Sequence, residues 1–266
     1  DYEINGFIKK AKLGFLKKYS IDDLNLVFNI RHKKFNLKDI NTSFNKIRLS
    51  LPSIKVENKN KRFLISGKLI NDKNDINIRL LNDLLGSSFQ DHSIEKIVFS
   101  SENDFDFDVN KNLKINNFNL KSKVKLKELV YKNDFLKIKN YLPDFEDSIN
   151  LEDHKISIDY KKNQLVIDGK GKVTVKDKVD SISYKINKKG NQYNFNTNIN
   201  INKNLVSMNI LQYDKKENTD SLLKLKGVYN KNKKINFEQI SLNENKNNFL
   251  IKDLNLDNNF DILDVN

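Results

Sequence analysis

Cysteine and tryptophan are missing from this 266-residue chain, proline occurs twice, and Ala11 is its one alanine. Without cysteine there is no disulfide framework and no thiolate metal site. No apolar run approaches the about 20 residues that a membrane-spanning helix needs. No secretion signal is visible at the start, and the chain opens at Asp1 rather than Met, which reads as a processed chain or a fragment.

Asn, Lys, Ile, Leu, Asp and Phe supply most of the residues. That composition fits an AT-rich genome, so the Asn and Lys counts carry little functional weight by themselves. Hydrophobic residues at 38% suffice for a core, and aromatics at 10% argue against wholesale disorder. The net charge is +13, and residues 1–70 carry 16 Lys+Arg against 6 Asp+Glu. The surplus therefore belongs mainly to the first quarter. It points to an anionic membrane surface or nucleic acid, or to a plain solvated basic face.

The stretch INGFIKKAKLGFLKKYS has helical spacing, with Ile4, Ile8, Ala11, Phe15 and Tyr19 near one face. It predicts an amphipathic helix over residues 1–20, lying on a membrane or packed over a sheet edge. A second short helix is expected in IRLLNDLLGSS, where Leu80, Leu81, Leu84 and Leu85 cluster before Gly86.

From Leu24 the period becomes two. QYNFNTNININKN sets Tyr193, Phe195, Thr197, Ile199 and Ile201 against Asn194, Asn196, Asn198, Asn200 and Asn202. NDFDFDVN, KSKVKLK and GKGKVTVKDKV behave alike. Such alternation over many short segments, with Asn, Lys, Asp and Gly between them, signals antiparallel strands with one wet face. A repeat starts at Ile54, Ile156 and Ile240: an aliphatic residue two later (Val56, Ile158, Leu242), a polar loop, then Phe63-Leu64-Ile65, Leu165-Val166-Ile167 or Phe249-Leu250-Ile251. Gly67 and Gly169 match in place, and Asp253 stands there in the third copy. Each copy reads as a hairpin, with turns over 58–61, 161–164 and 244–247. Residues 21–266 are expected to form a single extended β-rich body, with possible breaks near 84–93 and 140–148.

Reactive chemistry is sparse. His32, His92 and His154 stand far apart, each without a second His or a Cys at ligand spacing. Asp104, Asp106 and Asp108 alternate with Phe105 and Phe107 and lack the glycine and distal glutamate of a calcium loop. There is no phosphate-cradling glycine loop and no nucleophile elbow. Gly169 and Gly171 read as places where a backbone is approached closely. No catalytic residue, metal or cofactor is expected. Nor is nucleic acid, because the aromatics share the aliphatic face rather than the wet one.

An apolar sheet face must be covered by a second layer, or it stands as a binding surface. YLPDFEDSINLEDHKISIDYKKNQLVIDGKGKVTV and LLKLKGVYNKNKKINFEQISLNENKNNFLIKDLNLD resemble the AsmA-like superfamily, which includes YhdP and TamB. The likeness is clearest over 141–257. It implies an extended, curled sheet of antiparallel hairpins forming an open trough, periplasmic and held by an inner-membrane anchor outside this segment. It also implies phospholipid as partner, moved between inner and outer membranes. The chain departs from the family by lacking the N-terminal anchor. The expected lining is Phe105, Phe107, Val124, Leu126, Ile158, Ile167, Val173, Val175, Tyr193, Phe195, Ile199, Ile201, Leu223, Leu225, Phe237, Phe249 and Ile251. Two alternatives stand beside it: a closed β-sandwich or barrel acting as a binding or surface-interaction module, and a basic nucleic-acid binder.

Overall fold

A computed structural model describes residues 2–15, 19–75, 94–112, 114–132, 142–146, 148–208, 213–231, 234–244, 247–257 and 261–265. The described residues contain strands and turns and no helix. The first five strands are β1 (Glu3–Phe15), β2 (Tyr19–Arg31), β3 (Lys34–Phe44), β4 (Ile47–Lys59) and β5 (Arg62–Asp75). Next come β6 (Ile94–Val109), β7 (Ile115–Lys132), β8 (Ser148–Lys161), β9 (Gln164–Val175), β10 (Lys178–Lys189) and β11 (Gln192–Asn200). The short strands β12 (Val206–Met208) and β13 (Tyr213–Lys215) pair only with each other. The rest are β14 (Ser221–Asn230), β15 (Lys234–Glu244), β16 (Asn247–Asp257) and β17 (Ile262–Val265).

Fifteen strands form one open antiparallel sheet in chain order, with β12 and β13 left out. The chain also divides into two compact units: residues 1–75, 99–124 and 157–163 make the first, and 76–98, 125–156 and 164–266 the second. Period-two alternation thus produces the mainly β architecture expected of it.

The expected N-terminal helix is instead strand β1, paired with β2. The helical spacing comes from a bulged strand. Ile4, Gly6 and Ile8 face Ile30, Phe28 and Leu26, and register shifts on either side of Ala11 then bring Ala11, Leu13 and Phe15 opposite Leu24, Ile21 and Tyr19. Lys10, in the first shift, has φ 51. Because Gly6 replaces an apolar residue and the bulge adds one, a period of two is disguised as a period of 3.6. The second expected helix, 78–88, and the break near 84–93 lie outside the described residues.

The three repeat copies lie on hairpins β4–β5, β8–β9 and β15–β16. Their registers differ. Ile54 pairs with Gly67 in the first, whereas Ile240 pairs with Ile251 in the third. Asp253, which stands in the glycine's place, has φ 51. The repeat therefore marks hairpins within a continuous meander.

Candidate functional site

In the second unit, the registers of β9, β10, β11, β14, β15 and β16 align their side chains into rows across one face. One row runs Ile167, Ile186, Phe195, Gly227, Phe237, Leu254. The next runs Gly169, Tyr184, Thr197, Leu225, Ile240, Ile251, and a third Gly171, Ile182, Ile199, Leu223, Leu242, Phe249. A fourth, nearest the 190–191 turn, holds Leu165, Lys188, Tyr193, Tyr229, Ile235 and Leu256. The intervening residues, such as Asn194, Asn196 and Lys224, are exposed on the opposite face. Nine of the expected lining residues thus meet here: Ile167, Tyr193, Phe195, Ile199, Leu223, Leu225, Phe237, Phe249 and Ile251. Sequence reasoning missed Leu165, Ile182, Tyr184, Ile186 and Ile240, although the same alternation marks them.

Most of the face is half-buried, Phe195, Leu223, Leu225 and Phe237 included. Cross-strand neighbours shield it, and among the described residues no second sheet of comparable size covers it. Buried apolar side chains number ten in all among the described residues, far fewer than two sealed layers of this width would produce.

The first unit repeats the design. Ile4, Ile30, Phe35, Val56 and Ile65 form one row, and Gly6, Phe28, Leu37, Ile54 and Gly67 the next. Phe105 stacks on Phe107 at 6.0 Å between ring centres, Phe107 meets Phe118 at 6.2 Å, and Phe118 meets Tyr160 at 5.9 Å. By alternation, Val124 shares the face of Phe118 on β7, and Ile158 that of Tyr160 on β8.

Glycines on both faces sit beneath rings. The Phe28 ring covers Gly6, Tyr184 covers Gly169, and His154 covers Gly171. Phe105 lies where a Cβ on Gly67 would come within 2.9 Å of its ring. This glycine–aromatic pairing keeps the face smooth, since the ring lies over the missing side chain instead of standing off the sheet. His154 is 1% exposed. Its Nε2 lies 2.8 Å from the Lys172 carbonyl and so carries the proton, leaving Nδ1 to accept from the Tyr184 hydroxyl at 3.2 Å. It is a satisfied structural histidine.

Expected lining residues nearest the other end are covered by the chain itself. Ile201 packs with Val206 and Leu242, and Leu142, Ile199, Tyr213, Leu223 and Phe249 surround them. Val175 and Leu126 are likewise buried, while Val173 stands opposite Asp180. Residues 201–208 and 213–220, which include the paired strands β12 and β13, thus cap one end of the second unit's face. Polar bonds hold the cap. The fully buried Lys215 ammonium donates to the carbonyls of Asn202, Asn204 and Lys216 at 3.2, 2.8 and 2.9 Å. Burial pushes Lys215 below the usual lysine range, opposed by the charges of Asp180, Glu244 and Glu217. Asp180 accepts from the backbone of Asn202 and Lys203 and from the Asn204 amide. The Tyr213 hydroxyl donates to Glu244; burial, then this carboxylate, hold the phenol well above its ordinary range.

These arrangements offer apolar surface and shape, with no convergent set of reactive groups among the described residues. Compared with protein-family models, curated proteins and solved structures, the chain matches none.

Proposed function

We propose that the chain is a segment of a lipid-transfer protein that holds phospholipid acyl chains on the apolar faces of a curled, trough-like sheet, in the periplasm between two membranes. The observation that carries this reading is the set of cross-strand rows around Phe195, half-buried and without a second sheet over them. An acyl chain needs length and apolarity and few polar contacts, which is what such rows supply. A sealed sandwich would call for a second layer. The AsmA-like likeness of residues 141–257 supports the same assignment.

The test is native mass spectrometry of lipid carried by the purified chain. Phe195→Asp places a carboxylate among apolar neighbours, where it costs several kcal/mol or turns to water through the acyl path. Bound phospholipid is expected to fall several-fold, while Asn196→Asp on the wet face leaves it unchanged. Equal effects of the two substitutions, or no lipid on the wild type, would refute the assignment.

A further inference from the structure

In a sheet whose strands follow chain order, successive connections alternate between its two edges. The turns at 32–33, 60–61 and 162–163 and the strand ends at Asn110 and Lys114 therefore share one edge in the first unit, and the turn at 190–191 and the strand ends at Asn230–Lys231 and Lys234 share one in the second. Backbone bonds confirm neighbouring pairs: Asn58 N–H donates to the Lys33 carbonyl at 2.9 Å, and Lys231 N–H to that of Asn191 at 3.0 Å. These six connections are basic: RHKK, NKNKR, NKNLK, YKKNQ, NKKGNQ and NKNKK; Asp257 and Asp261, which flank the connection from β16 to β17, add two carboxylates at the same edge of the second unit.

We infer that the basic edge of each unit is a headgroup rim, whose lysines hold the phosphates of anionic glycerophospholipids while their acyl chains lie on the adjoining apolar face of that unit. This rests on the acyl-chain reading above. Lys33, Lys61, Lys162, Lys189 and Lys231 form no ion pair with any described residue, whereas Arg31, Lys34 and Arg62 beside them are held by Glu3, Glu57 and Asp108. At the capped end of the second unit, by contrast, Lys178 is held by Asp144 at 2.5 Å and Glu217 at 2.6 Å, and Lys176 by Glu146 at 3.7 Å. An anionic group thus finds unpaired lysines at the basic edge, among them Lys189 and Lys231, and lysines already held by carboxylates at the capped end.

The row nearest the basic edge is also the amphipathic one. Tyr193 and Tyr229 meet at 5.7 Å, and the Lys188 ammonium lies 5.2 Å from the Tyr193 ring centre. Tyrosine and lysine suit a boundary that is apolar on one side and wet on the other. From Tyr193 to Ile199 the strand advances about 20 Å. A zigzag of 1.5 Å carbon–carbon bonds covers that distance in about 16 carbons. A chain anchored at the rim of the second unit therefore ends where the cap begins at Ile201.

The experiment incubates the chain separately with phosphatidylglycerol and phosphatidylcholine vesicles and counts lipids bound by native mass spectrometry. The rim variant combines Lys61→Gly, Lys162→Gly, Lys189→Ser and Lys231→Ser. The control combines Lys170→Ser, Lys185→Ser, Lys224→Ser and Lys252→Ser, all exposed on the opposite face. Wild type and control are expected to carry several-fold more phosphatidylglycerol than phosphatidylcholine. The rim variant should lose that preference while binding as much phosphatidylcholine as before. A preference retained by the rim variant, lost equally by the control, or absent from a wild type that binds both lipids overturns the rim and leaves the acyl-chain reading standing. A wild type that binds neither lipid overturns both.

Discussion

Phe195 lies over Gly227, its partner in register, so closely that a Cβ on the glycine would sit 2.9 Å from the ring's Cζ. The same Cβ would meet the Asn236 carbonyl oxygen and come 3.0 Å from the Phe237 Cα. Two of the three obstacles are backbone and cannot rotate away. Gly227→Ala should therefore destabilise the fold by about 2 kcal/mol. Gly14, with nothing within 4 Å, should tolerate alanine or gain about 0.5 kcal/mol from reduced chain entropy. Urea unfolding of the two variants tests the contrast, which disappears if both behave alike.

Lys61 and Lys162 have φ of 62° and 48° in two-residue turns, a left-handed conformation that costs a residue with a Cβ about 1 kcal/mol. Lys61→Gly and Lys162→Gly should leave thermal stability unchanged or raise it slightly, because relief of this strain is offset in part by the freer unfolded chain. A marked loss would mean that these lysines stabilise the fold through their side chains.

Lys215→Met keeps the length and apolar stem of the side chain but leaves three carbonyls without their donor. Since unpaired buried acceptors are costly, residues 201–208 and 213–220 should open more readily. Amide hydrogen exchange in those residues is expected to quicken while the β9–β10 hairpin keeps its protection. Unchanged exchange would show that the apolar contacts of Val206 and Tyr213 suffice to hold the cap.

The hydrogen bonds of Lys178 to Asp144 and then to Glu217 raise its pKa above the ordinary lysine value of 10.5. A base with a raised folded value contributes stability fully below its unfolded value and loses it as pH rises through the folded one. The stability gap between wild type and Lys178→Met should therefore be constant around neutrality and close only beyond pH 10.5. A gap that closed at neutral pH would contradict this pairing.

The Phe195→Asp and Asn196→Asp pair reads the two faces of one strand. Removing the ring from Gly227 also costs stability, so lipid content is to be compared at a temperature where both variants are folded by circular dichroism. Loss of lipid from a folded Phe195→Asp is the expected result; retained lipid places the acyl chains elsewhere.

The sequence by itself determined the strand class and, along β11, which residues share a face. Those properties depend on a period of two, which is local and survives in QYNFNTNIN without any partner. The same local reading failed over residues 3–15, because a glycine and a bulge disguise the period and only pairing with β2 restores it. Tertiary structure alone decided which ring covers which glycine, since Phe105 and Gly67, or His154 and Gly171, meet only through strand order and register. It also decided that residues 201–208 and 213–220 fold back as a cap and that, within each unit, alternate lysine-bearing connections reach the same edge. Each turn reads as an unremarkable Asn–Lys loop in sequence. Within a unit, the ordered meander brings alternate turns to the same side, and their charges add there.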